Sequence, residues 1–220
     1  MTPATAPPRA ISLDLDDTLW PIWPVIEKAE QALHDFLCER CPRTAAAFPI
    51  PRMRELRERI AAEHPQFAHD FTHQRKLSLA HALREAGEDE LHVEAAFTAF
   101  YAARNRIEFY PDAVAALQRL TARWPVAALT NGNADLASIG IAPHFATCER
   151  LGVAPHEVLH VGDDPLLDVH GAREAGLRTC WINRRNEAWP EQFAPPDLQF
   201  DTLCALADWL DARHPHPETA

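Results

Sequence analysis

The sequence holds no long uncharged apolar run, so no transmembrane helix is expected. Residues 1–10, MTPATAPPRA, lack the apolar core of a secretory signal, which points to the cytoplasm. Positive charge is scarce. The 21 Lys and Arg stand against 32 Asp and Glu, for a net charge of -11. That balance argues against nucleic acid or an anionic membrane as the primary partner. Cysteines number five, an odd count without a secretory signal, so free thiols are expected. No internal repeat or low-complexity run occurs. What is there is apolar enough to fold. Of 220 residues 47% are apolar and 24% charged, with six Trp and ten Phe to bury, which excludes disorder as the main state. A soluble, acidic chain follows, either one medium domain or a core carrying an insert.

The ends, 1–8 and 213–220, read as flexible tails, and His214 and His216 in the second are incidental rather than a chelating pair. Between the tails the periodicity changes twice. Residues 10–16 alternate Ile11, Leu13 and Leu15 against Ser12, Asp14 and Asp16, which predicts a strand. From Pro24 to about Tyr110 the pattern is helical, with apolar stripes at Val25–Leu37, Met53–Ile60, Leu77–Leu83 and Phe97–Tyr101. Four helices joined at Pro or Gly positions predict a small bundle. After Pro111 short apolar strands (126–129, 158–161, 179–182) alternate with helices (around 114–120, 136–139, 165–175 and 202–210). That alternation predicts α/β architecture, a Rossmann-like parallel sheet core with an inserted all-helical domain. The boundaries are 9–19 and 110–212 for the core and 20–109 for the helical insert.

Three polar clusters stand at the C-terminal ends of predicted strands. They are Asp14-Leu15-Asp16-Asp17-Thr18, Thr130-Asn131-Gly132-Asn133, and Gly162-Asp163-Asp164-Pro165 followed by Asp168. Each has a bland reading, as a helix N-cap or an Asn-Gly turn. In an open parallel sheet, however, ligands bind outside those strand ends, so three clusters there suggest one shared cavity. Carboxylates so gathered cannot all ionise in a closed site unless a cation compensates or their pKa values rise. Oxygen donors without a Cys or His cluster suit a hard ion, and Mg²⁺ is the natural choice. An ion with open positions attracts phosphate, a neighbouring carboxylate can attack it, and a second can act as acid and then base. Asp14 and Asp16, two residues apart on one side of the strand, supply both roles.

DLDDTLW (14–20), LTNGN (129–133) and GDDPLLD (162–168) together resemble motifs one, two and four of the haloacid dehalogenase (HAD) superfamily phosphatases. The resemblance implies a Rossmann-like core, a helical cap inserted after motif one, and Mg²⁺-dependent phosphomonoester hydrolysis. It implies Asp14 as nucleophile, and Asp16 as acid/base whose backbone carbonyl also faces the metal. Asp163 becomes a metal ligand, with Asp168 supporting it. Thr130, Asn131 and Gly132 hold the phosphoryl group, with Thr18 and Asp164 behind them. Within the superfamily, residues 24–37, 69–87 and 128–136 are most similar to phosphatases of flavin mononucleotide and of the riboflavin precursor 5-amino-6-(5-phospho-D-ribitylamino)uracil. A flat ring favours aromatic and polar partners, for which Trp20, Trp23, His73 and Arg75 are candidates beside their readings as core or cap residues. The partner implied is a small phosphomonoester; nucleoside and sugar monophosphates come next. Metal-free haloacid dehalogenase chemistry shares the fold, but Asp16 speaks against it.

One part of the pattern is missing. The superfamily's motif three is a Lys between motifs two and four, yet the only lysines are Lys28 and Lys76, both in the insert. Just 31 residues lie between Asn131 and Asp163, and the break falls at Phe145-Ala146. A stretch omitted from the sequence as read is the favoured account. A true deletion, which leaves the motif-two strand at a sheet edge, and replacement of the Lys by Arg150 are the others. A phosphate-binding pseudoenzyme stays open on the same ground. Cys38 and Cys41 form a Cys-x-x-Cys on a helix without a second pair, so neither zinc nor redox use is expected. Cys148, Cys180 and Cys204 are read as small apolar packing residues. The alternating charges of RMRELRER (52–59) read as a solvated helix face.

Overall fold

The structure, a computed structural model, describes residues 6–67, 70–144 and 152–214. The Phe145-Ala146 junction, Cys148, Arg150 and His216 lie outside the described residues. The chain divides into two compact units. One comprises Met1–Pro21, Glu108–Thr130 and Gly140–Ala220, the other Ile22–Ile107 and Asn131–Ile139. Residues 131–139, read from the sequence with the sheet, thus group with the helices. Among the described residues no helix is long and apolar enough to cross a membrane.

The first unit is built on five parallel strands: β1 (Ala10–Leu13), β2 (Val126–Ala128), β3 (Val158–Gly162), β4 (Arg178–Ile182) and β5 (Leu198–Phe200), in the order β2-β1-β3-β4-β5. Strand β1 is buried at every position, and β3 likewise, as central strands of a covered parallel sheet require. Leu13 pairs with both Ala128 and Val161 in register, so the C-terminal ends of β1, β2 and β3 finish level with one another. The strand expected over 10–16 stops at Leu13. Beyond it the chain turns, and a bridge between Asp16 and Trp20 replaces the ladder. Strand β5 gives no sequence signal: three residues, Leu-Gln-Phe, are too few for a period.

The second unit contains α1 (Ile22–Arg40), α2 (Pro42–Ala47), α3 (Ile50–Glu63), α4 (Phe71–Glu85) and α5 (Val93–Arg104). The four apolar stripes correspond to α1, α3, α4 and α5. Helix α2 is the addition, six residues begun by Pro42 at its first position, too short to show a stripe. Ala29, Leu33, Leu37, Leu56, Leu79, Leu83 and Phe100 form a continuous core among these helices. Buried Glu30 joins α1 to α3, accepting from Arg54 Nε at 2.7 Å and Arg57 Nη1 at 3.0 Å. The sheet unit also carries α6 (Ala113–Thr121) and, last in the chain, a helix at Leu203–Arg213, which are tied by Arg119 and Asp211 at 2.7 Å. Thr202 caps the latter through the Ala205 N–H.

Candidate active site

The site grows from the level strand ends. Asp14 is the first residue past β1 and donates its N–H to Val161 O at 2.9 Å; Leu129 N–H donates to Leu13 O at 3.0 Å. Asp14, Thr130 and Asp163 are therefore held next to one another by backbone pairing. Asp168 returns to the same place through a π-type turn at Pro165–His170. Asp164 opens that turn as its cap, accepting from the Leu166 and Leu167 N–H groups at 2.8 Å each. Its own N–H donates to Asp168 Oδ2 at 2.8 Å. Gly162 makes this return possible, since a Cβ there would stand 2.2 Å from the Asp168 carboxyl carbon.

The outcome is a cluster in which donor oxygens of Asp14, Asp163 and Asp168 all lie within 4.8 Å of one another. Burial, then the charges of Asp168 and Asp163, push Asp14 up to about 8. Burial and Asp168 push Asp163 up to about 7. Two hydroxyls partly offset this. Thr130 donates to Asp14, and Thr18 Oγ1 donates to Asp163 Oδ1 at 3.2 Å. All-oxygen donors that repel one another at neutral pH match a hard divalent cation.

The loop after β1 fixes the remaining acids. Asp16 Oδ1 accepts from Trp20 Nε1 at 2.8 Å. Asp17 takes φ +58°, the left-handed region that Asp tolerates better than most residues. In that pose its N–H donates to Trp20 O at 2.7 Å, and its Oδ2 accepts from Arg185 Nη2 at 2.8 Å. Arg184 clamps the same loop. Its Nε donates to Thr18 O at 3.0 Å and its Nη1 to Asp112 Oδ1 at 2.9 Å, while the guanidinium covers the Tyr110 ring at 4.0 Å. His160, inside β3, faces Ser12 and Asp168. His160, Arg184 and Arg185 carry no motif signal; the sheet pattern places His160 at a strand interior but says nothing of its neighbours.

The other expected residues are distributed as follows. Asn131 and Gly132 group with the helical unit. Trp20 is fully buried in the sheet unit, edge-on to Phe109 at 5.8 Å, with its N–H on Asp16, so it packs and positions rather than lining a substrate wall. Trp23 is 53% exposed, with the Arg54 guanidinium 5.0 Å above its ring. The His73 ring lies 4.1 Å from that of Phe67, and its backbone N–H donates to the α4 cap Asp70 at 2.8 Å. Arg75 is buried over Phe100 at 3.5 Å, and burial pushes its pKa down to about 9.

Against known proteins, the family described as haloacid dehalogenase-like hydrolase matches residues 8–176. The chain is 31% identical over 229 residues to the 5-amino-6-(5-phospho-D-ribitylamino)uracil phosphatase YigB of Escherichia coli, covering 91% of this chain and 95% of that protein. It is 37% identical over 151 residues to a phosphoserine phosphatase of Thermus thermophilus, covering 56% of this chain and 59% of that one. Among solved structures, a 2-haloacid dehalogenase from Pseudomonas syringae pv. Tomato superposes with a TM-score of 0.85 at 31% identity, covering 93% of this chain and 98% of that one. Because 91% of 220 residues spans 229 aligned positions, about 29 positions of the YigB match have no residue in this chain. The same reasoning on the Thermus match gives about 28. This chain is internally shorter than both relatives. Among the described residues β2 is an edge strand.

Proposed function

The chain belongs to the haloacid dehalogenase-like hydrolases and is a phosphatase of that type, and from this premise we propose that it hydrolyses a small phosphomonoester with Mg²⁺, through an aspartyl-phosphate on Asp14. The observation that carries this is the meeting of the Asp14, Asp163 and Asp168 oxygens within 4.8 Å, with a further acid, Asp16, two positions after Asp14 in the chain. Asp14, Asp163 and Asp168 are the side chains that would hold the cation, together with the backbone carbonyl of Asp16. Bound there, the cation offsets the negative charge of the carboxylates and of the substrate's phosphoryl group.

The chain's own residues then do the chemistry. Ionised Asp14 attacks phosphorus while the ester P–O bond breaks. Asp16 gives its proton to the departing alkoxide, which leaves as an alcohol. Asp16, now a carboxylate, takes a proton from water. The resulting hydroxide attacks the same phosphorus, releasing phosphate and restoring Asp14. Trp20 keeps the Asp16 carboxyl in place by its indole N–H. The Thr130 hydroxyl orients Asp14, and Thr130, Asn131 and Gly132 bind phosphoryl oxygens.

For the substrate we take flavin mononucleotide or the riboflavin-precursor phosphate first. The support is the likeness to YigB over nearly the whole of both chains. Nucleoside and sugar monophosphates are the alternatives. The acidic composition and free thiols favour a cytoplasmic enzyme. Phosphate release across a panel of monophosphates, with Mg²⁺ and with chelator, tests the reading. Turnover on the flavin-type esters, lost with chelator and in Asp14→Asn, is expected. A second reading, dehalogenation of a 2-haloacid, is favoured by the structural likeness to the Pseudomonas syringae protein. Halide release without phosphate release would select it.

A further inference from the structure

Behind the acidic cluster a line of buried polar side chains runs from the middle of the sheet into the turn after β3. Ser12 on β1 and His160 on β3 are paired in register and both buried, at 5% and 3% exposure. Ser12 Oγ is 2.9 Å from His160 Nδ1, and His160 Nε2 is 3.4 Å from Asp168 Oδ1. Burying three polar side chains, two on adjacent strands and one in the turn that follows, is unfavourable unless each finds a partner. Here each does. Asp168 has its other oxygen on the Asp164 N–H, so both ends of the carboxylate are held.

From this geometry we infer that His160, backed by Ser12, is a positioning residue that locks Asp168 for cation binding. The inference rests on the metal reading given above. An ionised Asp168 only accepts hydrogen bonds, so Nε2 carries the hydrogen and donates to it. Nδ1 is then the acceptor, and the Ser12 hydroxyl donates to it. The line has one direction, Ser12 to His160 to Asp168. Gly162 clears the space into which Asp168 folds, and His160 fixes the orientation in which it stays. A carboxylate restrained from both sides loses little freedom on meeting a cation, and partners of this kind tune affinity by about 10- to 100-fold.

The test is calorimetric titration of Mg²⁺ into the full chain without substrate, alongside thermal melts in chelator. His160→Leu should weaken Mg²⁺ binding by about 10- to 100-fold. His160→Gln, whose amide N–H reaches about as far as Nε2, should restore affinity to within a few-fold of wild type. Ser12→Ala should fall between them. Should His160→Leu fail to fold, the Gln and Ala variants decide the matter. A His160→Leu or Ser12→Ala protein that melts lower yet binds Mg²⁺ as wild type does would overturn the inference, because the line would then only support the sheet. Asp163→Asn separates the two levels. Binding that Asp163→Asn removes and His160→Leu leaves intact refutes the positioning role alone. Wild-type protein that takes up no Mg²⁺ refutes the metal reading beneath it.

Discussion

Replacing Asp163 by Asn should stabilise the protein without metal and abolish its response to Mg²⁺. In the folded chain Asp14 is pushed up to about 8 and Asp163 to about 7, both from an ordinary 3.8. An acid whose pKa is raised on folding binds protons in the folded state that the unfolded state has released. Its contribution is therefore fully present below the unfolded pKa, about 4, and is lost as pH rises through the folded value. Metal-free wild type should thus lose stability steadily between about pH 4 and pH 8. Asp163 is one of the like charges acting on Asp14. Removing it should lower the Asp14 pKa and also remove the penalty of Asp163's own raised pKa, a gain on the order of 1–2 kcal/mol at pH 8. At roughly 2–4 °C per kcal/mol for a chain of this size, the melting point in chelator should rise by about 2–8 °C. Mg²⁺ at about a hundred times its Kd adds about 2.7 kcal/mol to the wild type, or about 5–11 °C, and should add nothing to Asp163→Asn. Scanning fluorimetry from pH 5 to 8, with and without chelator, reads all of this. A wild-type melting point flat across that range, or an Asp163→Asn protein less stable than wild type at pH 8 in chelator, refutes the reasoning.

Asp16→Asn should fold normally and lose about 10²–10⁴ in kcat on a phosphomonoester with a poor leaving group; p-nitrophenyl phosphate, whose leaving group needs no proton, should still phosphorylate Asp14 and then turn over slowly, seen as a burst of p-nitrophenol, because the attacking water has lost its base. Arg184→Met breaks a largely buried pair and leaves Asp112 with only its backbone donors, Leu203 and Cys204. It should destabilise by about 3 kcal/mol, seen as a lowered denaturant midpoint. Leu83→Ala, in the core of the helical unit, should cost about 2–5 kcal/mol, checked by the same unfolding curve. Trp23→Ala should raise KM for flavin mononucleotide while leaving KM for glycerol phosphate within about twofold, since only an aromatic substrate gains from an exposed indole.

Much of the sheet was legible because buried parallel strands are short apolar runs that end in polar residues. The runs before Asp14, Thr130 and Asp163 announce both the strand and the point where it opens to a ligand. The helical unit was legible where stripes were long, as in α1, and not in six-residue α2 or three-residue β5, where no period can repeat. Acids of the site could be named because they sit in the chain order of their motifs. Their supports could not. Arg184 reaches Thr18 from 166 positions away and His160 reaches Ser12 from 148, contacts that only the β1–β3–β4 order creates. For Trp20 the sequence leaves both a core and a substrate-wall reading open, and its contact with Asp16 from within the core is visible only in the fold.

The most direct measurement is a rapid acid quench of the wild-type enzyme with flavin mononucleotide and Mg²⁺, followed by mass spectrometry of the peptide that contains residues 14–20. A phosphoryl group on Asp14, absent in chelator and decaying as inorganic phosphate appears, is the predicted result. An unmodified Asp14 throughout phosphate release, or a carbon adduct at Asp14 formed from a 2-haloacid instead, would contradict the account.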